Sequence, residues 1–212
     1  MPTILTYGDS NTHGTPPTPE AGLYLRLGPS DRWPCIMQRA LGLDWTLIEE
    51  GLPGRTTVFN DPVTGPTMNG LLGLPMALRS HGPIDWLTIM LGTNDCQAHY
   101  GATAEQIAGG LAALLALALS PEMQTRHDGF RILIIAPPPV VETGPWVADF
   151  HRGAAKSKAM IPLYRNLATA RGAAFLDASQ HIAVSPVDGV HFDAVAHRAL
   201  GQEVAKTIVA AP

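Results

Sequence analysis

The sequence predicts an α/β fold: a flavodoxin-like three-layer sandwich with a five-stranded parallel sheet in the order 2-1-3-4-5. Five short apolar runs are continuous rather than alternating, as strands covered on both faces are. Segments with helical marks separate each run from the next, which is the alternation of a parallel sheet with crossover helices. Glycine and proline, 21 and 19 of 212 residues, are scattered as punctuation and gather into no linker, so the chain reads as one domain over residues 1–212.

The first run, residues 3–7, stops on the polar cluster Gly8-Asp9-Ser10-Asn11-Thr12. A helix over 32–41 follows, announced by Ser30-Asp31 and with Pro34 tolerable in its first turn. The second run covers 45–49, and a helix over 69–79 carries the helix-breaking Pro75. After the third run, 86–91, Thr103-Ala-Glu-Gln106 has the spacing of a capping box and opens an Ala/Leu-rich helix that stops at Ser120-Pro121. The fourth run, 131–136, leads into a connection beginning at Pro137 that is long beside the usual span of about 2–6 residues, as a lid or an oligomer contact would be. A helix over 149–170, kinked or restarted at Pro162 and ended by Gly172, precedes the fifth run, 173–176, and a helix over 193–209 closes the chain.

Bulk chemistry narrows the function. A net charge of −4 offers no basic surface for nucleic acid. No stretch approaches the roughly 20 apolar residues of a membrane span, and no basic segment precedes a long apolar one near the N-terminus, so a cytoplasmic protein is expected. Cys35 and Cys96 suit that compartment as free thiols.

In open parallel sheets ligands bind beyond the carboxyl ends of the strands. Those ends carry Gly8-Asp9-Ser10, Glu49-Glu50-Gly51-Leu52-Pro53-Gly54-Arg55 and Gly92-Thr93-Asn94-Asp95, and a loop after the fifth run carries Asp188-Gly189-Val190-His191. Ser10 is a weak nucleophile that needs a base, and His191 is the best-placed one. Asp188, three residues earlier, is positioned to bond the imidazole and fix its tautomer. The backbone amides of Ser10 and Gly51 and the side-chain amide of Asn94 would surround a developing oxyanion. His13, Trp146 and Phe192 are candidates for the pocket wall. His191, Asp193 and His197 also spell HxDxxxH, but six residues on a helix turn about 600°, so the histidines diverge and no metal is expected.

The four blocks, in this order over residues 8–191, resemble the SGNH (GDSL-type) hydrolase superfamily. DPVTGPTMNG, WLTIMLGTND and APPPV are similar to its arylesterase and acyltransferase branch. The resemblance implies a serine esterase acting on a small-molecule ester without a cofactor, with an alcohol as a further acyl acceptor, and a homo-oligomer. Two letters depart from it: Asn11 stands where leucine usually follows the serine, and Pro53 where many relatives have serine. The rival readings are a metal-dependent phosphoesterase, which lacks a carboxylate-plus-histidine pair after the first run, and a non-catalytic binding module on the same fold.

Overall fold

A computed structural model describes residues 1–211. Strands β1 (Thr3–Gly8), β2 (Thr46–Gly51), β3 (Trp86–Met90), β4 (Arg131–Ala136) and β5 (Ala174–Asp177) form one sheet in the order β2-β1-β3-β4-β5, every neighbouring pair parallel. The expected topology is the observed one. At the carboxyl edge Gly8 lies opposite Gly51 on one side and Met90 on the other, so the ends of the three strands are level there.

Among the described residues seven helices complete the layers: α1 (Ser10–His13), α2 (Trp33–Leu41), α3 (Gly70–Ser80), α4 (Ala104–Ala118), α5 (Pro121–Arg126), α6 (Gly153–Arg171) and α7 (Ala194–Ala210). Successive strand residues face opposite sides. Leu5, Tyr7, Ile89 and Ile134 pack with Leu74, Leu111 and Tyr164 from α3, α4 and α6. Ile4, Trp86, Leu133 and Ile135 pack on the other face with Trp33, Met37, Leu200 and Val204 from α2 and α7. Burial on both faces is why these strands lack polar alternation.

The capping box at α4 forms as the spacing predicts: Gln106 N donates to Thr103 Oγ1 at 3.3 Å and Thr103 N to Gln106 Oε1 at 2.9 Å. Two expectations are corrected. The helix expected from 149 begins at Gly153, because residues 144–152 are spent on a 3-10 turn and further turns. Nor does the helix restart at Pro162, since α6 runs unbroken to Arg171. Pro162 and Lys158 are both exposed, so the carbonyl left without its helical donor lies on the outward side of α6. The short α1 and α5 were beyond what periodicity could reveal. No helix among the described residues is long and apolar enough to cross a membrane, and both cysteines are buried and free.

His197 of α7 is fully buried against α2, where its Nδ1 accepts from Trp33 N at 3.2 Å and satisfies an amide that a helix start leaves unpaired. Burial pushes its pKa from 6.5 down to about 4. Between those values the unfolded chain takes up a proton that the folded one refuses, so this residue makes stability fall as pH drops from 6.5 to about 4. His197→Asn keeps an acceptor for Trp33 N and cannot titrate. Urea unfolding of the variant should therefore show a shallower loss of stability across that window than the wild type; equal slopes would refute the assignment.

Candidate active site

β1 ends on Gly8, and the chain turns at once into α1. Asp9 caps this single turn, accepting from Asn11 N at 2.9 Å, and Ser10 is its first residue. Across the carboxyl edge, His191 Nε2 lies 3.1 Å from Ser10 Oγ and His191 Nδ1 lies 2.7 Å from Asp188 Oδ2. With Nδ1–H donating to the carboxylate, the lone pair of Nε2 faces the serine hydroxyl, which donates to it. All three side chains are buried.

The electrostatics separate the carboxylates by role. Asp188 has no solvent exposure, which raises its pKa, yet the hydrogen bonds it accepts outweigh burial and hold it below the ordinary carboxylate value. Those donors are His191 Nδ1 and Thr18 N on Oδ2, and Val190 N and His191 N on Oδ1. Asp9 and Asp95 go the other way: burial lifts each to about 6. Asp95 accepts from Thr57 N at 3.0 and 3.1 Å and from the Thr57 hydroxyl, so it ties the end of β3 to the loop after β2.

Asn94 Nδ2 donates one hydrogen to Arg55 O at 3.0 Å, leaving its second uncommitted among the described residues. The Ser10 amide has no acceptor among the described residues. Gly51, expected as a third donor, is corrected by the structure. A Cβ at Gly51 would lie 2.3 Å from His13 N, so its missing side chain makes room for the backbone of α1, and Gly51 does not line the cavity. Gly54 does. The tight turn closed by Arg55 N to Leu52 O carries Gly54 into the lining at φ 85°, with its amide unpaired among the described residues. Two glycines stand three residues apart in this block, and only the turn geometry tells which one faces inward.

Ser10, His191, Asn94 and Gly54 share a cavity of about 320 Å³. Leu23, Tyr24 and Leu25 form one wall, and Trp146, Phe150 and Val190 another. Trp146 lines the cavity. Phe192 does not: it is buried in the core beneath α7 with its ring 5.6 Å from that of His197, and it lines no part of the cavity. His13 is half-buried outside the lining, its ring 6.3 Å from Tyr24 and its carbonyl bonded by Arg26 Nε at 2.8 Å. The wall at 23–25 belongs to no strand end, so strand-end position does not point to it. Its one signal is three apolar residues in an irregular loop, with Tyr24 82% exposed. Among the described residues no group of three or more His, Cys, Asp or Glu is arranged to hold a metal ion.

A serine, imidazole and carboxylate in hydrogen-bonded series at the carboxyl edge of a flavodoxin-like sheet define a serine hydrolase class of site. The chain belongs to the GDSL-like lipase/acylhydrolase family, whose model matches residues 6–199. It is similar to Est24, a carbohydrate acetylesterase from Sinorhizobium meliloti, at 36% identity over 99% of each chain with a TM-score of 0.94. It resembles the aryl esterase of M. smegmatis at 34% identity over 100% of each chain, also with a TM-score of 0.94. A member of the lipolytic G-D-S-L family from Veillonella parvula, 14% identical with a TM-score of 0.70 over 99% of this chain and 100% of the other, shares the fold. No match is found among curated proteins.

The two glycines are separable by experiment. Gly51→Ala should lower stability by about 1–3 kcal/mol, the usual cost of overpacking, because its new methyl meets backbone. A variant with unchanged thermal stability and a raised KM would instead place Gly51 at the cavity wall.

Proposed function

We propose that the protein is a serine esterase that cleaves short-chain acyl esters, aryl acetates among them, through an acyl-enzyme on Ser10. The observation that carries this reading is the continuous series Asp188–His191–Ser10, at 2.7 and 3.1 Å, opening on a cavity with uncommitted donors.

Ser10 Oγ attacks the acyl carbon as its proton passes to His191 Nε2, and Asp188 stabilises the imidazolium. The carbonyl oxygen becomes an oxyanion that accepts from Ser10 N, Gly54 N and Asn94 Nδ2, each such donor being worth on the order of 10²-fold in rate. As the carbonyl reforms, the bond to the leaving oxygen breaks, and His191 returns the proton to that oxygen. Water then attacks the acyl-enzyme with His191 as base, releasing the acid and restoring Ser10.

The cavity volume sits at the low end of the roughly 300–1,000 Å³ typical of small-molecule sites, which favours small acyl groups. Its apolar walls at Leu23, Tyr24, Leu25, Trp146 and Phe150 support an aromatic or aliphatic leaving group. They also support transfer to alcohols, because an apolar entrance excludes water better than it excludes a small alcohol. Free buried thiols fit a cytoplasmic setting, and the exposed Leu23, Tyr24, Leu25 and Val147 fit assembly into a homo-oligomer.

Wild-type protein should hydrolyse an activated aryl acetate, and Ser10→Ala or His191→Ala should lower kcat on the order of 10⁴-fold or more. Undiminished turnover in Ser10→Ala would overturn the mechanism. With a small alcohol present, chromatography should find its acetyl ester beside free acetate; acetate alone at high alcohol would remove the transfer activity.

A further inference from the structure

Asn11 is 1% exposed, and both ends of its amide are engaged. Nδ2 donates to Val190 O at 3.1 Å, and Oδ1 accepts from Phe192 N at 3.2 Å. A carbonyl can only accept and an amide N–H only donate, so the orientation of the Asn11 amide is fixed by its partners. The residue between those partners is His191. On the assignment of Ser10 as nucleophile and His191 as base made above, we propose that Asn11 is a positioning residue, gripping the backbone on both sides of His191 to hold Nε2 against Ser10 Oγ.

The backbone of His191 itself is spoken for: its amide donates to Asp188 Oδ1 at 3.0 Å and its carbonyl accepts from Ser185 N at 2.8 Å. Those bonds tie His191 to its own loop. Among the described residues, Asn11 is the side chain other than Ser10 that bonds this stretch from the element carrying the nucleophile, and it does so at the backbone. It follows Ser10 directly within α1, whose first turn is held by Asp9 through Asn11 N at 2.9 Å and Thr12 N at 3.1 Å. A shift of α1 therefore carries Ser10 Oγ and the grip on residues 190 and 192 together, and the separation of the reacting pair is preserved.

Asp188 cannot substitute for this grip. It fixes the ring at Nδ1 and the loop at two amides, all on the histidine side, and its link to the N-terminal region runs through Thr18 rather than α1. Without Asn11, Val190 O and Phe192 N would also be buried and unpaired, which pushes the loop to rearrange toward other partners. A displacement near 1 Å at a reacting pair costs about 10²-fold in rate. Asn11 does not line the cavity, so substrate affinity has no reason to follow.

The test uses Asn11→Ala and Asn11→Leu with the wild type and an aryl acetate substrate. A fluorophosphonate titrates the reactive serine in each preparation, so that kcat is expressed per competent site and any misfolded fraction drops out. Both variants should lose about tenfold or more in kcat per titrated serine, with a parallel slowing of phosphonylation and KM within about twofold. A smaller fall in kcat per site in both variants, whatever happens to the melting temperature, would make Asn11 merely structural and overturn the proposal. Failure of the underlying mechanism looks different: wild-type serine that resists phosphonylation, with turnover surviving in Ser10→Ala, would overturn both.

Discussion

A contact of 3.1 Å between His191 Nε2 and Ser10 Oγ joins residues 181 apart in the chain, and the rest of the molecule can be understood as what holds that contact in place. A flexible chain of this length would almost never hold two side chains at such a distance, because closing so long a loop and ordering its residues costs entropy at every step. The parallel sheet meets that cost with burial. β1 lies inside the sheet between β2 and β3, covered on both faces, so the turn bearing Ser10 is fixed by the part of the core hardest to deform. The loop bearing His191 has no such strand beneath it. It is held by hydrogen bonds instead, to Asp188, Ser185 and Asn11, and by Val141 N donating to Gly189 O at 2.8 Å from the long connection after β4.

Three buried carboxylates stand at this edge of the sheet, and the balance of burial against hydrogen bonding sets the direction in which each pKa moves. Asp188 collects four donors and stays charged despite having no solvent exposure, as the carboxylate behind an imidazole must. Asp9 accepts from one backbone amide beside it, and its pKa rises with burial to about 6. Asp95, with three hydrogen bonds all from Thr57, rises as far. Asp188 backs the imidazole, its hydrogen bonds and His191 outweighing burial, while burial dominates at Asp9 and Asp95, which serve as braces.

Much of this was legible in the sequence because burial on two faces leaves continuous apolar runs, and because strand ends in a parallel sheet share one edge. Ser10, Asn94, Asp188 and His191 fall together at that edge in the sequence pattern, and the structure brings them together there. What resisted reading depends on turns and on which way a side chain faces. Gly51 and Gly54 are the same letter three residues apart, and only the turn at Leu52 to Arg55 brings the second inward. Phe192 follows His191 directly, but neighbouring residues face opposite ways, so the ring enters the core and only its amide serves the site. Asn11, the letter that departs from the usual block, finds its reason in residues 190 and 192, far beyond any local pattern.

The central claim is that Ser10 carries the acyl group during turnover. Rapid acid quenching during hydrolysis of an aryl acetate, followed by peptide mass spectrometry, tests it most directly. An acetyl group on the peptide containing Ser10, formed within one turnover and lost as substrate is exhausted, is the predicted result. Steady turnover with Ser10 unmodified at every time point, or with the acetyl group on another residue, would contradict it.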